Sequence, residues 1–219
     1  MKKSITEFFE KIYKDKVFVN LYENPVSLSG PGSFPENNKN YFLFLKEFLS
    51  KNNIKSIVDF GCGDFQLYKD FFSNDIKYLG IDVSETAINI ANQYTTDNIK
   101  FLCKETIDLP KADLLLVKDV FGHWLSDSST NIDIIGGVKK PKEIQLDDYS
   151  NLITDFLNIN VSKFKYIIIV DSLTGNIEKY FPNSFKYNEI KIRFAGKYGE
   201  KDKKVYINEY YESISNNIF

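Results

Sequence analysis

The chain has 219 residues, of which 43% are hydrophobic, and a formal net charge of −2. This length predicts a single domain, residues 1–219, with enough apolar residues for a sizeable core. The near-neutral charge gives no overall attraction to nucleic acid. No apolar run is long enough to span a membrane, and Cys62 and Cys103 lack the spacing of a zinc site. We therefore expect a cytoplasmic protein without a metal and without a nucleic-acid or membrane partner.

The first part of the chain, residues 1–50, predicts a helical lid and a flap. Residues 4–15 have the pattern of an amphipathic helix, and residues 20–33 form a loop with two prolines and two glycines. Ser33, Pro35 and Glu36 match a capping box, which would begin the next helix.

Residues 51–175 alternate between short apolar strands and helices. Strands are predicted at 55–60, 77–83, 98–104, 112–119 and 165–172, and helices at 64–73, 84–94 and 147–159. This alternation is typical of a parallel sheet with helices on both faces. Residues 176–219 contain two segments that alternate polar and apolar side chains, which predicts an antiparallel hairpin at one edge of the sheet. Residues 126–146 fit neither pattern, and a long loop of this kind is often functional or disordered.

The strongest motif is "VDFGCGDFQ", residues 58–66, between a predicted strand and a predicted helix. Gly61 and Gly63 allow a tight turn and a close approach of the backbone to a ligand. Asp82 ends the next strand, 21 residues after Gly61, where a carboxylate can accept both hydroxyls of a ribose. The motif therefore predicts a nucleoside ligand, although an ordinary strand-to-helix turn has the same glycines.

Acidic residues around this turn indicate which nucleoside it binds. Gln66 stands where the dinucleotide fingerprint has a small residue. Asp64 is predicted at the N-terminus of the next helix, where a pyrophosphate would otherwise bind, and Asp59 adds a second negative charge. These charges favour a cationic ligand without phosphate, so S-adenosylmethionine is expected rather than NAD or FAD.

The segments "VDFGCGD", "YLGIDVS", "IKFLCKE" and "ADLLLVKDVFGHW" resemble the successive motifs of class I S-adenosylmethionine-dependent methyltransferases, over roughly residues 50–175. The approach to the first strand, from Ser27 onward, is similar to that of small bacterial methyltransferases acting on sugars or other metabolites, including those of surface-polysaccharide pathways. The resemblance implies methyl transfer to a small-molecule acceptor, such as a sugar hydroxyl. It also implies a Rossmann-like, doubly wound α/β fold with a seven-stranded, mostly parallel sheet and a C-terminal antiparallel hairpin.

The same resemblance assigns cofactor contacts to the carboxyl ends of the predicted strands. It implies that Asp59, Gly61 and Gly63 line the methionine part, and that Asp82 holds the ribose. Glu105 stands where aspartate is more usual in the family and would face the adenine amine. The remaining predicted cofactor contacts are Asp64, Val83, Lys104, Thr106 and Lys118.

The acceptor site is predicted beside the end of the fourth strand. Asp119 and His123, the only histidine, are the catalytic candidates, since histidine is well matched to take the proton of a hydroxyl acceptor. A half-buried histidine bonded to backbone is the structural alternative. Trp124 is either a wall of this site or a core residue. Tyr22, Ser29 and Gly30 of the flap are predicted to contact the acceptor, although the flap has the composition of a simple linker.

Three other functions fit parts of the pattern. An NAD-dependent oxidoreductase would use the same glycine-rich turn, but Asp64 and Gln66 weigh against it. A non-catalytic module could keep the S-adenosylmethionine site and act through a partner protein. Methylation of RNA or protein is disfavoured by the charge and by the lack of a recognition domain.

Overall fold

The structure, a computed structural model, describes residues 5–17, 27–124, 134–135, 138–139, 150–171, 177–196 and 199–208. Its helices are α1 (Ile5–Lys14), α2 (Lys39–Lys51), α3 (Glu85–Ala91), α4 (Phe121–Trp124) and α5 (Ser150–Asn160). Its strands are β1 (Ser56–Phe60), β2 (Lys77–Asp82), β3 (Ile99–Cys103), β4 (Ala112–Lys118), β5 (Ile134–Ile135), β6 (Val138–Lys139), β7 (Phe164–Asp171), β8 (Tyr187–Gly196) and β9 (Gly199–Asn208). Short 3₁₀ turns cover Pro31–Ser33, Pro35–Asn38, Asn92–Tyr94 and Ile177–Tyr180.

Seven of the described strands form one mixed sheet in the order β3-β2-β1-β4-β7-β9-β8. The first five in this order are parallel, and β9 pairs antiparallel with both β7 and β8. The predicted seven-stranded, mostly parallel sheet with an antiparallel hairpin is therefore confirmed. In this hairpin β8 ends at Gly196 and β9 begins at Gly199.

Both faces of the sheet are covered, because successive side chains of each strand point to opposite sides. On one face Ile57, Leu114 and Ile168 pack against the α2 side chains Tyr41, Leu45 and Phe48. On the other face Val58, Leu115 and Ile167 pack against the α5 side chains Ile153, Phe156 and Leu157. For this reason the central strands carry apolar side chains on both faces.

Two local predictions are wrong. Residues 64–73 form successive turns instead of a helix, with Phe65 in the left-handed region at φ 61°. The capping box at Ser33 does not form, because Ser33 ends a 3₁₀ turn and α2 begins only at Lys39. The Asn38 side chain instead donates hydrogen bonds to the carbonyls of Gly32 and Phe34. Ser84 is the N-cap of α3, since its hydroxyl accepts from the Ala87 N–H at 3.1 Å.

Parallel strands place their carboxyl ends at one edge of the sheet, so β1, β2, β3 and β4 all end there. Ligands bind at this edge in open α/β sheets. Two further elements reach it from elsewhere in the chain: α1, which packs on α3, and the flap, defined in the structure as residues 27–33. Within the described part of the chain, no helix is long and apolar enough to cross a membrane.

Candidate functional site

A cavity of about 530 Å³ lies over the carboxyl ends of the four strands, a size that suits a nucleoside-sized ligand. Residues that follow the four strands line this cavity, together with one face of α1. From the flap, Ser29, Gly32 and Ser33 line it. The lining residues from the sheet edge include Gly61, Cys62, Asp82, Val83, Glu105, Thr106, Lys118, Asp119 and Val120. The predicted cofactor residues Lys104 and Gly63, and Gly30 of the flap, are not among the residues that line it.

The glycine-rich turn is tightly packed on its outer side. Gly61 and Gly63 have φ of 78° and 58°, which other residues adopt at a cost. A Cβ added at Gly61 would lie 2.4 Å from the Val120 side chain, and one at Gly63 would lie 2.3 Å from Ser29 Oγ and 2.7 Å from Tyr13 Oη. Gly63 therefore lets the lid and the flap approach the turn.

The N–H groups of the turn are bonded within the protein. Those of Gly61 and Cys62 donate to the Ile81 carbonyl at 2.8 and 3.2 Å. The Gly63 N–H donates to Asp82 Oδ2 at 2.9 Å, and the Asp64 N–H donates to Ser29 Oγ at 3.2 Å. Because these amides already have acceptors, the turn does not present the row of amide donors that cradles a phosphate.

Asp82 is the carboxylate at the centre of the cavity wall. Its two oxygens accept from the N–H groups of Gly63 and Ser84, both at 2.9 Å, which fixes the orientation of the carboxylate. Each oxygen keeps further acceptor capacity. Burial raises the pKa of Asp82, and the backbone hydrogen bonds oppose that rise. This arrangement can accept two hydroxyl groups from a ligand in the cavity.

Helix α1 closes the cavity from above with Ile5, Phe9 and Tyr13, which follow one another at four-residue spacing along a single face. Three side chains of α1 bond to the residues below it. Glu10 accepts from Ser84 Oγ, Thr86 N and Thr86 Oγ1 at 2.7, 3.1 and 2.7 Å. Thr6 Oγ1 donates to Glu105 at 2.9 Å, and Tyr13 Oη lies 2.7 Å from Ser29 Oγ.

These α1 contacts were not identified from the sequence. The amphipathic period indicated a lid, but it did not show which face would meet the cavity. Burial raises the pKa of Glu10, but the hydrogen bonds from Ser84 and Thr86 outweigh this and lower it to about 2. Glu10 is therefore ionised at neutral pH, which strengthens its bonds to α3.

Asp64 anchors the flap. Its carboxylate is buried and accepts from Ser27 Oγ, the Leu28 N–H and Ser29 Oγ at distances of 2.6 to 3.0 Å. The prediction that Asp64 stands at a helix N-terminus is wrong, because residues 64–73 are not helical. The Asp64 carboxylate bonds to residues 27–29 and does not line the large cavity. The bonded N–H groups of the turn, and not Asp64, therefore disfavour a pyrophosphate.

Two buried lysines meet Asp119 at the end of β4. Lys118 Nζ lies 2.6 Å from Asp119 Oδ2, and Lys203 Nζ from β9 lies 2.9 and 2.6 Å from the two Asp119 oxygens. Lys118 Nζ also donates to the Gly32 carbonyl of the flap at 2.8 Å. Burial raises the pKa of Asp119, but Lys118 and Lys203 outweigh this and hold it well below its ordinary value. Asp119 is thus a permanent carboxylate and a poor proton acceptor.

Asp59 is buried under the glycine turn and accepts a hydrogen bond from Tyr78 Oη. It lines a second, smaller cavity together with Ser33, Asp64 and Lys118. Burial raises the pKa of Asp59 to about 7, although the Tyr78 hydrogen bond and the Lys118 charge act in the opposite direction. A cation placed beside Asp59 would favour its ionised form.

The fold of this chain is similar to that of solved methyltransferase structures. The N-methyltransferase NodS from Bradyrhizobium japonicum WM9, in complex with S-adenosyl-L-homocysteine, is 13% identical with a TM-score of 0.56, over 90% of this chain and 97% of that one. Magnesium protoporphyrin IX methyltransferase (ChlM) from Synechocystis PCC 6803, with bound S-adenosylhomocysteine, is 13% identical with a TM-score of 0.56, over 92% of this chain and 97% of that one. The chain has this methyltransferase fold. No protein-family model and no curated protein sequence matches it.

The structure describes some of the remaining predicted acceptor-site residues and not others. Trp124 is 5% exposed and packs edge-to-face on Phe60 and Phe156, yet it also lines the cavity, so it is both core and wall. Ser29 lines the cavity. His123 belongs to α4, but its side chain lies outside the described residues, as does Tyr22. Their predicted roles stay predictions.

Proposed function

We propose that the protein transfers the methyl group of S-adenosylmethionine to a small-molecule acceptor. The observation that carries the proposal is the oriented, buried Asp82 carboxylate beside a glycine-rich turn whose N–H groups are already bonded. A carboxylate at this position suits the two hydroxyls of a ribose. A turn without free amide donors does not suit the pyrophosphate of NAD or FAD. A nucleoside without phosphate meets both conditions.

The cavity residues fit the other parts of this cofactor. Glu105 and Thr106 line the wall after β3, where they can meet the edge of an adenine. Val83, Ile107 and Val120 supply apolar contacts for its faces. Asp59 lines the smaller cavity, which shares Gly61, Cys62 and Lys118 with the large one, and we assign it to the positive charge of the methionine part.

When bound, the cofactor supplies a methyl group on a positively charged sulfur. That methyl carbon would bond to a lone pair of the acceptor atom, with the electron pair of the broken carbon–sulfur bond left on sulfur. A hydroxyl acceptor also gives its proton to a base. Asp119 is a poor base, since Lys118 and Lys203 stabilise its ionised form. His123 is therefore our candidate base, and we propose a hydroxyl of a sugar or sugar-linked metabolite as the acceptor.

Calorimetric titration tests the cofactor. S-adenosylhomocysteine should bind to the wild-type protein, and NADH should not. Binding of NADH alone would reject the proposal in favour of an oxidoreductase. A labelled methyl group from S-adenosylmethionine should pass to a component of a small-molecule cell extract. Tight binding without any transfer would favour a non-catalytic module.

The His123→Ala variant tests the base. It should bind S-adenosylhomocysteine with wild-type affinity and lose about two to four orders of magnitude in transfer, the usual contribution of a general base. Unchanged turnover would remove His123 from the mechanism while leaving the cofactor assignment intact.

A further inference from the structure

The single turn of α4 begins without a capping side chain of its own. The residue before it is Val120, whose side chain has no hydrogen-bond acceptor. A helix usually follows a residue whose side-chain oxygen accepts from the second or third N–H of the helix. A helix of four residues is also too short to be stable without tertiary contacts. The position of α4 therefore depends on groups from other elements.

Asp171, the last residue of β7, supplies the acceptor that Val120 lacks. Its Oδ2 accepts from the Gly122 N–H, the second N–H of α4, at 2.8 Å. Asp171 is 5% exposed, so this bond is shielded from water, and a carboxylate accepts more strongly than a neutral oxygen. Asp171 lines neither of the two cavities described above, so any effect that it has on a ligand passes through α4.

The register of the sheet explains why this carboxylate lies at the start of α4. Lys118, the last residue of β4, pairs with Val170, so Asp171 comes one residue later at the same edge. The chain leaves β4 through Asp119, whose N–H donates to the Val170 carbonyl at 2.7 Å. The segment between β4 and α4 is thus bonded to β7 twice, first through the backbone and then through the Asp171 side chain.

The residues of α4 give this bond a consequence for the site. Trp124 packs edge-to-face on Phe60 and Phe156, with ring centroids 5.8 and 6.1 Å away, and lines the large cavity. His123, the candidate base, is the residue after Gly122. A reacting group misplaced by about 1 Å can lower the rate about a hundredfold.

We infer that Asp171 is a positioning residue for methyl transfer, because its carboxylate holds α4 and, through α4, fixes the place of His123. Asp171 acts on the backbone of α4 and does not contact the reacting atoms. Trp124 belongs to the same turn and reports its position. The inference rests on the proposed function for the role of His123.

The Asp171→Ala variant tests the hold on α4. Its maximal rate of methyl transfer, measured over a dilution series of small-molecule cell extract, should fall about tenfold to a hundredfold. Its affinity for S-adenosylhomocysteine should stay at the wild-type value. Without any ligand, the emission of Trp124, the only tryptophan, should shift to longer wavelength as its ring becomes more accessible to water.

A double-variant cycle separates positioning from a general loss of structure. Once His123 is replaced by alanine, the place of its side chain no longer matters. His123→Ala combined with Asp171→Ala should therefore transfer no more slowly than His123→Ala alone, because residues that act as a unit are not additive. Losses that multiply in the double variant would overturn the proposal, as would wild-type transfer in Asp171→Ala.

Asp113→Ala is the matched control for the loss of a structural carboxylate. Asp113 Oδ2 also accepts from backbone N–H groups, those of Lys55 and Ser56 at 2.9 and 2.8 Å, but at the edge of the sheet opposite the cavity. This variant should unfold at a lower urea concentration than the wild type and keep the wild-type rate of transfer and Trp124 emission. An equal loss of transfer in Asp113→Ala and Asp171→Ala would assign both to stability and overturn the positioning role.

Asp171→Asn decides the question if Asp171→Ala does not fold. The asparagine keeps an acceptor oxygen, but a neutral acceptor bonds about half as strongly, so the loss of transfer should be smaller and again absent from the double variant with His123→Ala. Failure of the proposed function is distinct, because either the wild type would transfer no methyl group or His123→Ala would keep the wild-type rate. The emission of Trp124 would then test the hold on α4 alone, and an unchanged emission in the Asp171 variants would overturn it.

Discussion

The carboxylates of the site have different uses, and their hydrogen bonds separate them. Asp64 holds the flap, Asp119 holds two lysines, and Glu10 holds the lid on α3. Asp82 is different, because its protein partners are two backbone N–H groups that orient it without neutralising its charge. It is therefore the carboxylate best placed to bond to a ligand.

Replacement of Asp82 by asparagine should weaken S-adenosylhomocysteine binding about tenfold to a hundredfold. The variant loses a charged acceptor, and hydrogen bonds to charged groups contribute about 1.5–3 kcal/mol. Calorimetric titration measures the change, and the exposed Asp97→Asn serves as the control. Wild-type affinity in the Asp82 variant would show that this carboxylate does not contact the ligand.

Asp59 predicts a pH dependence of stability. Its pKa is about 7 in the folded protein, above its ordinary value of 3.8, so the folded state holds a proton that the unfolded state has lost. The stabilising contribution is complete below about pH 4 and is lost as the pH rises through 7. The free energy of unfolding of the wild type, relative to Asp59→Asn, should fall between these values and then level off. Urea unfolding at pH 5, 6, 7 and 8 measures it; a constant difference between the two proteins would contradict the raised pKa.

Among the elements, α1 both lines the cavity and bonds to α3 through the Glu10 side chain. Its apolar residues form the roof, and Glu10 bonds to Ser84 and Thr86 at the start of α3. Because these bonds hold the roof over the cavity, we expect α1 to set the rate of ligand exchange.

Glu10→Gln should raise the dissociation rate of S-adenosylhomocysteine about tenfold. The glutamine keeps one acceptor oxygen but loses the charge that strengthens the three bonds to α3. Stopped-flow displacement measures the rate. Lys11→Gln is the matched control on the same helix, because the Lys11–Asp15 pair is more than half exposed and contributes little. Equal rates in wild type and Glu10→Gln would show that α1 does not gate the cavity.

In the segment 64–73 the hydrophobic periodicity predicts a helix that the structure does not contain. Phe65, Leu67 and Tyr68 are buried and Phe71 and Phe72 are partly buried in the same core, as an amphipathic helix would be. The chain buries them through successive turns in which the N–H groups of Tyr68 and Phe71 donate to carbonyls three residues earlier. The apolar pattern correctly predicted that these side chains are buried. The backbone conformation depends on tertiary contacts, which cannot be read from a single sequence.

At the scale of the whole molecule, the parts predicted from sequence are those with strong local patterns. The buried strands, the hairpin and the edge carrying Gly61 and Asp82 follow from apolar runs, alternation and turn chemistry. The partners of Asp119 do not, since Lys203 lies 84 residues away on a strand that enters the sheet between β7 and β8. Contacts of this range depend on strand order, and they are also the contacts that complete the site.

Because α1, the flap and four strands surround one cavity, a ligand there should stabilise the whole protein. S-adenosylhomocysteine at one hundred times its dissociation constant should add about 2.7 kcal/mol, which raises Tm by roughly 5–10 °C for a chain of this size. Trp124, the only tryptophan, lies at the cavity wall, and its fluorescence should give the same midpoint as circular dichroism of the backbone. A ligand that shifted the fluorescence midpoint alone would stabilise the cavity without the rest of the sheet, which would contradict a single cooperative unfolding transition.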